Sequence, residues 1–225
     1  MEFKNKKRYE FTLPEIIFIS LASITNFILD LVVSPILKLA LTHIIAGLFI
    51  MVPLNFLILY LTRNVVDKYG TCTLYLTIFG LISIPTPLFG GIAGPYKILV
   101  GFCVGVLLDL VFFVKKNIPR IIFIGIIGSI IWWTITFSIW ELFDLPFVTA
   151  FSNLLNATSP SFNGFIDFSK LLYLPISGFG IDFFVFSVLC GLLSSIPVMT
   201  SCIFGHYMFK KIESTAVYQR FQSIQ

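Results

Sequence analysis

Ionisable side chains are scarce in this chain, so its few carboxylates, two histidines and three tryptophans are the residues with chemistry to offer. Asp30, His43, Glu141 and Asp182 lie inside or at the ends of long apolar runs, as do Tyr96, Trp133 and Trp140. An ionisable group in such a run is costly, which makes each one a site candidate by default. At about 1.5 Å of rise per helical residue, Asp30, His43, Tyr96, Trp140, Glu141 and Asp182 fall in one layer toward one face. Trp133 lies two to three turns deeper than Glu141. Converging carboxylates and indoles suit a cationic or aromatic organic solute, because indole faces attract cations and stack on flat rings while carboxylates supply charge and hydrogen bonds.

Each of these residues also has a plainer role. Tyr96 and Trp140 fit an interfacial aromatic belt. Asp30, Glu141 and Asp182 fit carboxylates that reach headgroup water, and His43 fits a satisfied structural histidine. Asp109 and Asn55 lie nearer the opposite face. Asp109 reads as a structural or coupling residue within reach of Lys115 or Arg63.

Catalytic motifs are missing from the sequence. It contains no GxSxG, and His43 and His206 fall near opposite faces, so no acyl-transfer centre is expected. No HExxH or Cys/His cluster suggests a metal, and no Gly-rich nucleotide loop or cofactor motif appears. Cys72, Cys103, Cys190 and Cys202 have no CxxC spacing and read as small apolar fillers. The expectation is a non-catalytic chain without metal or cofactor.

The elements that must position these residues are membrane helices. Of 225 residues, 57% are hydrophobic and 12% charged, against roughly 45–50% and 25% in soluble domains. A crossing needs about 20 apolar residues, and six segments qualify: 14–37, 39–62, 71–93, 96–114, 121–143 and 178–209. Breaks are expected at Ser34-Pro35 with Lys38, at Gly94-Pro95 and at Lys115–Arg120. The expected fold is therefore an all-α, single-domain bundle of six transmembrane helices, multi-pass in the cell membrane.

With the N-terminus in the cytoplasm, the cytoplasmic side carries 12 of the 15 Lys and Arg residues, and Lys38, Lys97 and Lys170 lie outside. That asymmetry favours both termini inside and sets the layer of candidates near the outer face. The net charge of +4 is dispersed beside apolar segments and gives no nucleic-acid signal. A long outer loop, 144–177, reads equally as a lid or as a passive interfacial segment. Gly101 and Gly105 form a GxxxG on the fourth span, a spacing that allows close helix approach. Ser20, Ala22 and Ser23 make a small, weakly polar face on the first span that a membrane partner could use.

The stretch 99–114 carries Gly101-Phe102-Cys103-Val104-Gly105-Val106-Leu107-Leu108-Asp109-Leu110-Val111-Phe112, preceded by Ala46-Gly47-Leu48-Phe49, Tyr69-Gly70-Thr71 and Phe89-Gly90-Gly91. This pattern, with six spans and cytoplasmic ends, resembles the substrate-binding S component of energy-coupling-factor (ECF) vitamin transporters. The similarity is to the branch for thiamine or its hydroxymethylpyrimidine precursor. Two features depart from that family. Ser20, Ala22 and Ser23 stand where an Ala-x-x-x-Ala is usual, and Arg63–Gly70 replaces a basic-Pro-Gly turn. The resemblance implies capture of a small vitamin-like molecule at the outer face. It also implies docking on a transmembrane coupling subunit served by two ATPase subunits. The alternatives are another six-helix transporter, a structural or assembly membrane protein, or a membrane-embedded enzyme.

Overall fold

The computed structural model describes residues 10–40, 46–86, 93–112, 118–143, 181–215 and 218–219, with the side chains of 37–40, 118, 141 and 181–186 excepted. Among the described residues the chain is all-helical. Helix α1 is Leu13–Ala40. Helix α2, Gly47–Val66, opens with a π-helical turn, Gly47–Met51. Helix α3 is Thr71–Ser83 and α4 is Tyr96–Val111. Helix α5 joins Ile118–Phe123, a second π turn at Ile124–Gly128, and Ser129–Leu142. Helix α6 is Ile181–Glu213. Four of these, α1, α2, α5 and α6, are long and apolar enough to cross a membrane.

Several boundaries differ from the expected spans. Pro35 does not end α1, which runs on to Ala40. A proline is tolerated inside an apolar helix when neighbouring elements satisfy the freed carbonyl. The second helix accordingly starts later than residue 39. The third expected span, 71–93, is cut short at Ser83. Pro85 has no N–H to donate to Leu81 O, and the chain turns through Ile84 N–H to Leu81 O and Thr86 N–H to Ser83 O. At 13 residues, α3 is about 20 Å long, short of the roughly 30 Å hydrocarbon core. Helix α6 carries Pro197 internally and extends four residues past the expected 209. The expected outer loop 144–177 lies outside the described residues.

Local chemistry fixes the helix ends. Glu15 reaches back three residues to accept the Thr12 N–H at 2.7 Å, half of a capping box. The same carboxylate accepts Lys68 Nζ at 2.6 Å, tying the start of α1 to the α2–α3 turn. That turn is tight because Asp67 (φ 48°) and Gly70 (φ 88°) both take the left-handed conformation. Gly70 does so at no steric cost. Asp67 ends α2 by donating its N–H to Arg63 O at 2.9 Å.

Helices α3 and α4 form the most intimate contact in the bundle. A Cβ on Gly101 would lie 2.2 Å from Leu76 O, one on Gly105 2.5 Å from Thr73 Cα, and one on Gly80 2.5 Å from Lys97 O. The GxxxG of α4 is thus an internal packing seam against α3. Contacts then run from α4 to α5, from α5 to α6, from α6 to α2, and from α1 to α2 and α3. Phe56, Trp132 and Leu108 meet inside this ring beside Gly128, with Phe56 and Trp132 centroids 5.8 Å apart. The outer faces are apolar. Ile17, Leu21, Ile24, Ile28, Leu31 and Val32 of α1 are exposed, as are Leu192, Leu193, Ile196 and Phe204 of α6. Exposed apolar surface on this scale suits contact with lipid.

Candidate functional site

Three polar arrangements sit inside the bundle. The first joins α1, α2 and α3. Asn26 and Asp30 are four residues apart on α1 and therefore share a face. Asn26 Nδ2 donates to Asn55 Oδ1, and Asn55 Nδ2 lies 3.5 Å from Asp30 Oδ2 and 3.1 Å from Met51 O. Met51 closes the π turn of α2, a wide turn that sets an amide side chain against a main-chain carbonyl. All three polar side chains are buried. Asp30 Oδ1, Asn26 Oδ1 and the buried Tyr75 hydroxyl of α3 have no hydrogen-bond partner among the described residues. Tyr75 lies within electrostatic reach of Asp30. Unsatisfied polar atoms in an apolar interior cost about 1–3 kcal/mol each, so these atoms mark the cluster as a candidate site.

The second arrangement is aromatic. Trp133, Phe137 and Trp140 line α5, with centroids 5.2 Å apart for the first pair and 5.3 Å for the second. Trp133 Nε1 donates to Ser194 Oγ of α6 at 3.0 Å, and its ring lies 3.4 Å from the Cβ position of Gly47. The ladder therefore packs against the first turn of α2, the helix that carries Asn55. Tyr96 stacks on Phe143 at 6.2 Å.

The third consists of two charges of α4 that clamp the ends of α3. Asp109 accepts the N–H groups of Cys72 (3.2 Å) and Thr73 (3.0 Å) and the Thr73 hydroxyl (2.7 Å). It thereby caps the positive end of that helix. At the other end, Lys97 Nζ donates to Ser83 O at 2.9 Å and to Thr86 O. The twelve steps from 97 to 109 match the twelve from 71 to 83, each about 18 Å. Equal lengths in an antiparallel pair let one helix cap both ends of its neighbour. Asp109 thus holds the start of α3, and among the described residues the cation beside it is Arg63, whose Nε is 3.8 Å away.

Of the expected solute-binding residues, the structure brings Asp30 together with Asn55 and sets Trp133 and Trp140 in one stack. Tyr96 is buried beside Phe143. His43 lies outside the described residues, as do the side chains of Glu141 and Asp182. Ser23 is not part of an open partner face. It is fully buried and donates to the carbonyls of Ile19 and Tyr75 at 3.0 and 2.9 Å. Ser20 donates to Ile16 O at 2.8 Å, and Ala22 is partly buried.

Sequence reasoning missed Asn26 and Tyr75. The i, i+4 pair Asn26/Asp30 within an apolar run was the available signal, since two polar groups on one face require a shared polar partner. It also placed Arg63 and Arg120 among the cytoplasmic loop charges, whereas both are buried. No protein-family model, curated protein or solved structure matches the chain.

Proposed function

We propose that this chain is a multi-pass membrane protein that captures a small, polar, ring-bearing solute, in the manner of the substrate-binding subunit of an ECF-type importer. In this reading all six helices are membrane segments, with α3 and α4 as a short hairpin, and both termini are cytoplasmic. The observation that carries it is the buried cluster of Asp30, Asn26, Asn55 and Tyr75, in which three polar atoms have no hydrogen-bond partner among the described residues. The Trp133–Phe137–Trp140 ladder, which reaches α2 at Gly47, would supply π faces for a flat or cationic ring. Asp30 would take a positive charge or a donor on the solute, and Asn26 and Asn55 would fix its orientation.

The apolar stripe of α1 supports a partner-docking role. Among the described residues helix α1 packs mainly on α2 and α3 and leaves Leu21, Ile24 and Ile28 exposed. Docking on a coupling subunit would use these residues with Ser20. Import would draw its energy from the two separate ATPase subunits.

The test is mass spectrometry of small molecules retained by the detergent-purified protein, followed by equilibrium binding of the compound found. Asp30→Ala and Trp133→Ala should each weaken binding at least about tenfold, the loss expected for one charged or aromatic contact. Unchanged affinity in both variants would overturn the site assignment. Absence of any retained or saturably bound solute would favour the structural-protein alternative.

A further inference from the structure

The basic end of the bundle contains a buried cation with no acid paired to it among the described residues. Arg120, in the first turn of α5, is 2% exposed, and its Nε and Nη2 have no hydrogen-bond acceptor among the described residues. Its guanidinium lies over the Phe112 ring, 4.8 Å from the centroid. Such a contact offsets only part of the cost of burying an unpaired ion. The charged and titratable groups around it do not close the gap. From α2 come Tyr60, Arg63 and, past its end, Asp67; from α3, Cys72; from α6, Cys202. Asp67 holds Arg63 Nη1 at 3.3 Å, and Asp109 is taken up by the N-terminus of α3. Tyr60 Oη faces His206 Nδ1 at 3.4 Å. The result is a second guanidinium, Arg63, near the first and, among the described residues, no carboxylate within ion-pair distance of Arg120. The flanking sequence adds Lys115 and Lys116, and α6 adds exposed Lys210 and Lys211 in its last turn.

We infer that Arg120, backed by Arg63, is a binding site for a phosphate-bearing anion at this end of the bundle. A guanidinium fork offers parallel N–H donors that match two oxygens of a phosphate, and the Phe112 ring holds the fork in plane. The phosphate could belong to an acidic lipid headgroup or be free in solution. Either source supplies the charge that the protein withholds. The site is separate from the Asp30 cluster and stands whether or not that cluster binds a solute.

The experiment measures thermal unfolding of the full chain in neutral detergent, titrated in separate arms with phosphatidylglycerol, with phosphatidylcholine and with inorganic phosphate. Native mass spectrometry counts retained lipid in parallel. Phosphatidylglycerol should raise the melting temperature and be retained, and phosphatidylcholine should do neither. Protection by inorganic phosphate as well would assign a free anion, and its absence would assign the headgroup. Arg120→Gln should weaken the response about 30-fold or more, while Lys210→Gln/Lys211→Gln keeps it. If Arg120→Gln does not fold, Arg120→Lys, which keeps the charge and loses the fork, should show a several-fold weaker response. The proposal is overturned if neither anion protects the wild-type protein. It is also overturned if the response survives in the Arg120 variants or disappears with the two exposed lysines.

Discussion

Replacing Asp109 by leucine should unfasten α3 from α4. The carboxylate accepts two main-chain N–H groups and one hydroxyl, all from the first turn of α3. Leucine fills similar space and accepts nothing. Two buried N–H donors would then be orphaned at about 1–3 kcal/mol each, and Arg63 would lose the carboxylate near its Nε. Breaking a buried charge arrangement from one side costs about 3–5 kcal/mol, which agrees with that sum. For a chain of this size the loss corresponds to a fall of about 6–20 °C in melting temperature. Asp109→Asn keeps one acceptor oxygen but turns an amide donor toward the second N–H, so it should fall between leucine and wild type. The buried Cys72, whose own N–H is one of the capped donors, supplies the assay. With Cys103, Cys190 and Cys202 replaced by alanine, a maleimide dye that fluoresces on reaction with thiols should report unfolding of the detergent-solubilised protein at lower temperature in both variants. If Asp109→Leu melted within about 2 °C of wild type with Cys72 still protected, the cap would not be holding α3.

Other expected outcomes test the same architecture. Gly101→Ala would put a methyl 2.2 Å from the Leu76 carbonyl. The two helices would have to separate, and a loss of about 2 kcal/mol or more in thermal unfolding is expected; an unchanged melt would contradict the packing seam. Lys97→Met should destabilise through the lost bonds to the Ser83 and Thr86 carbonyls, by about 1.5–3 kcal/mol per charged bond removed. Ser194→Ala removes the acceptor of the Trp133 indole. It should cost about 1 kcal/mol and alter tryptophan fluorescence, and an unchanged spectrum would argue against that contact. Asn55→Leu leaves Asn26 and Asp30 without their shared partner and should lower the melting temperature, at about 1–3 kcal/mol for each polar group orphaned; an unchanged melt would contradict the cluster.

The helices were largely legible before any coordinates. Runs of about 20 apolar residues admit little besides membrane helix, because lipid offers the backbone no hydrogen bonds. Their ends were less legible. Pro35 sits inside α1 while Pro85 stops α3, and the chemistry of a lone proline does not distinguish these cases. The expected Gly101/Gly105 packing is matched by a seam whose partner, α3, no local pattern names.

The sequence by itself determined composition, helical class and the polar groups that would have to be accommodated in apolar surroundings, since these follow from hydropathy and the 3.6-residue period. Only the tertiary structure decided what each polar group does. It made Asp109 and Lys97 the two end caps of α3, gathered Asn26, Asp30 and Asn55 into one cluster, turned Ser23 inward, and buried Arg63 and Arg120. Hydrogen bonds and ion pairs act over about 3–4 Å between residues 14 to 61 positions apart, and proximity of that kind is set by how helices pack.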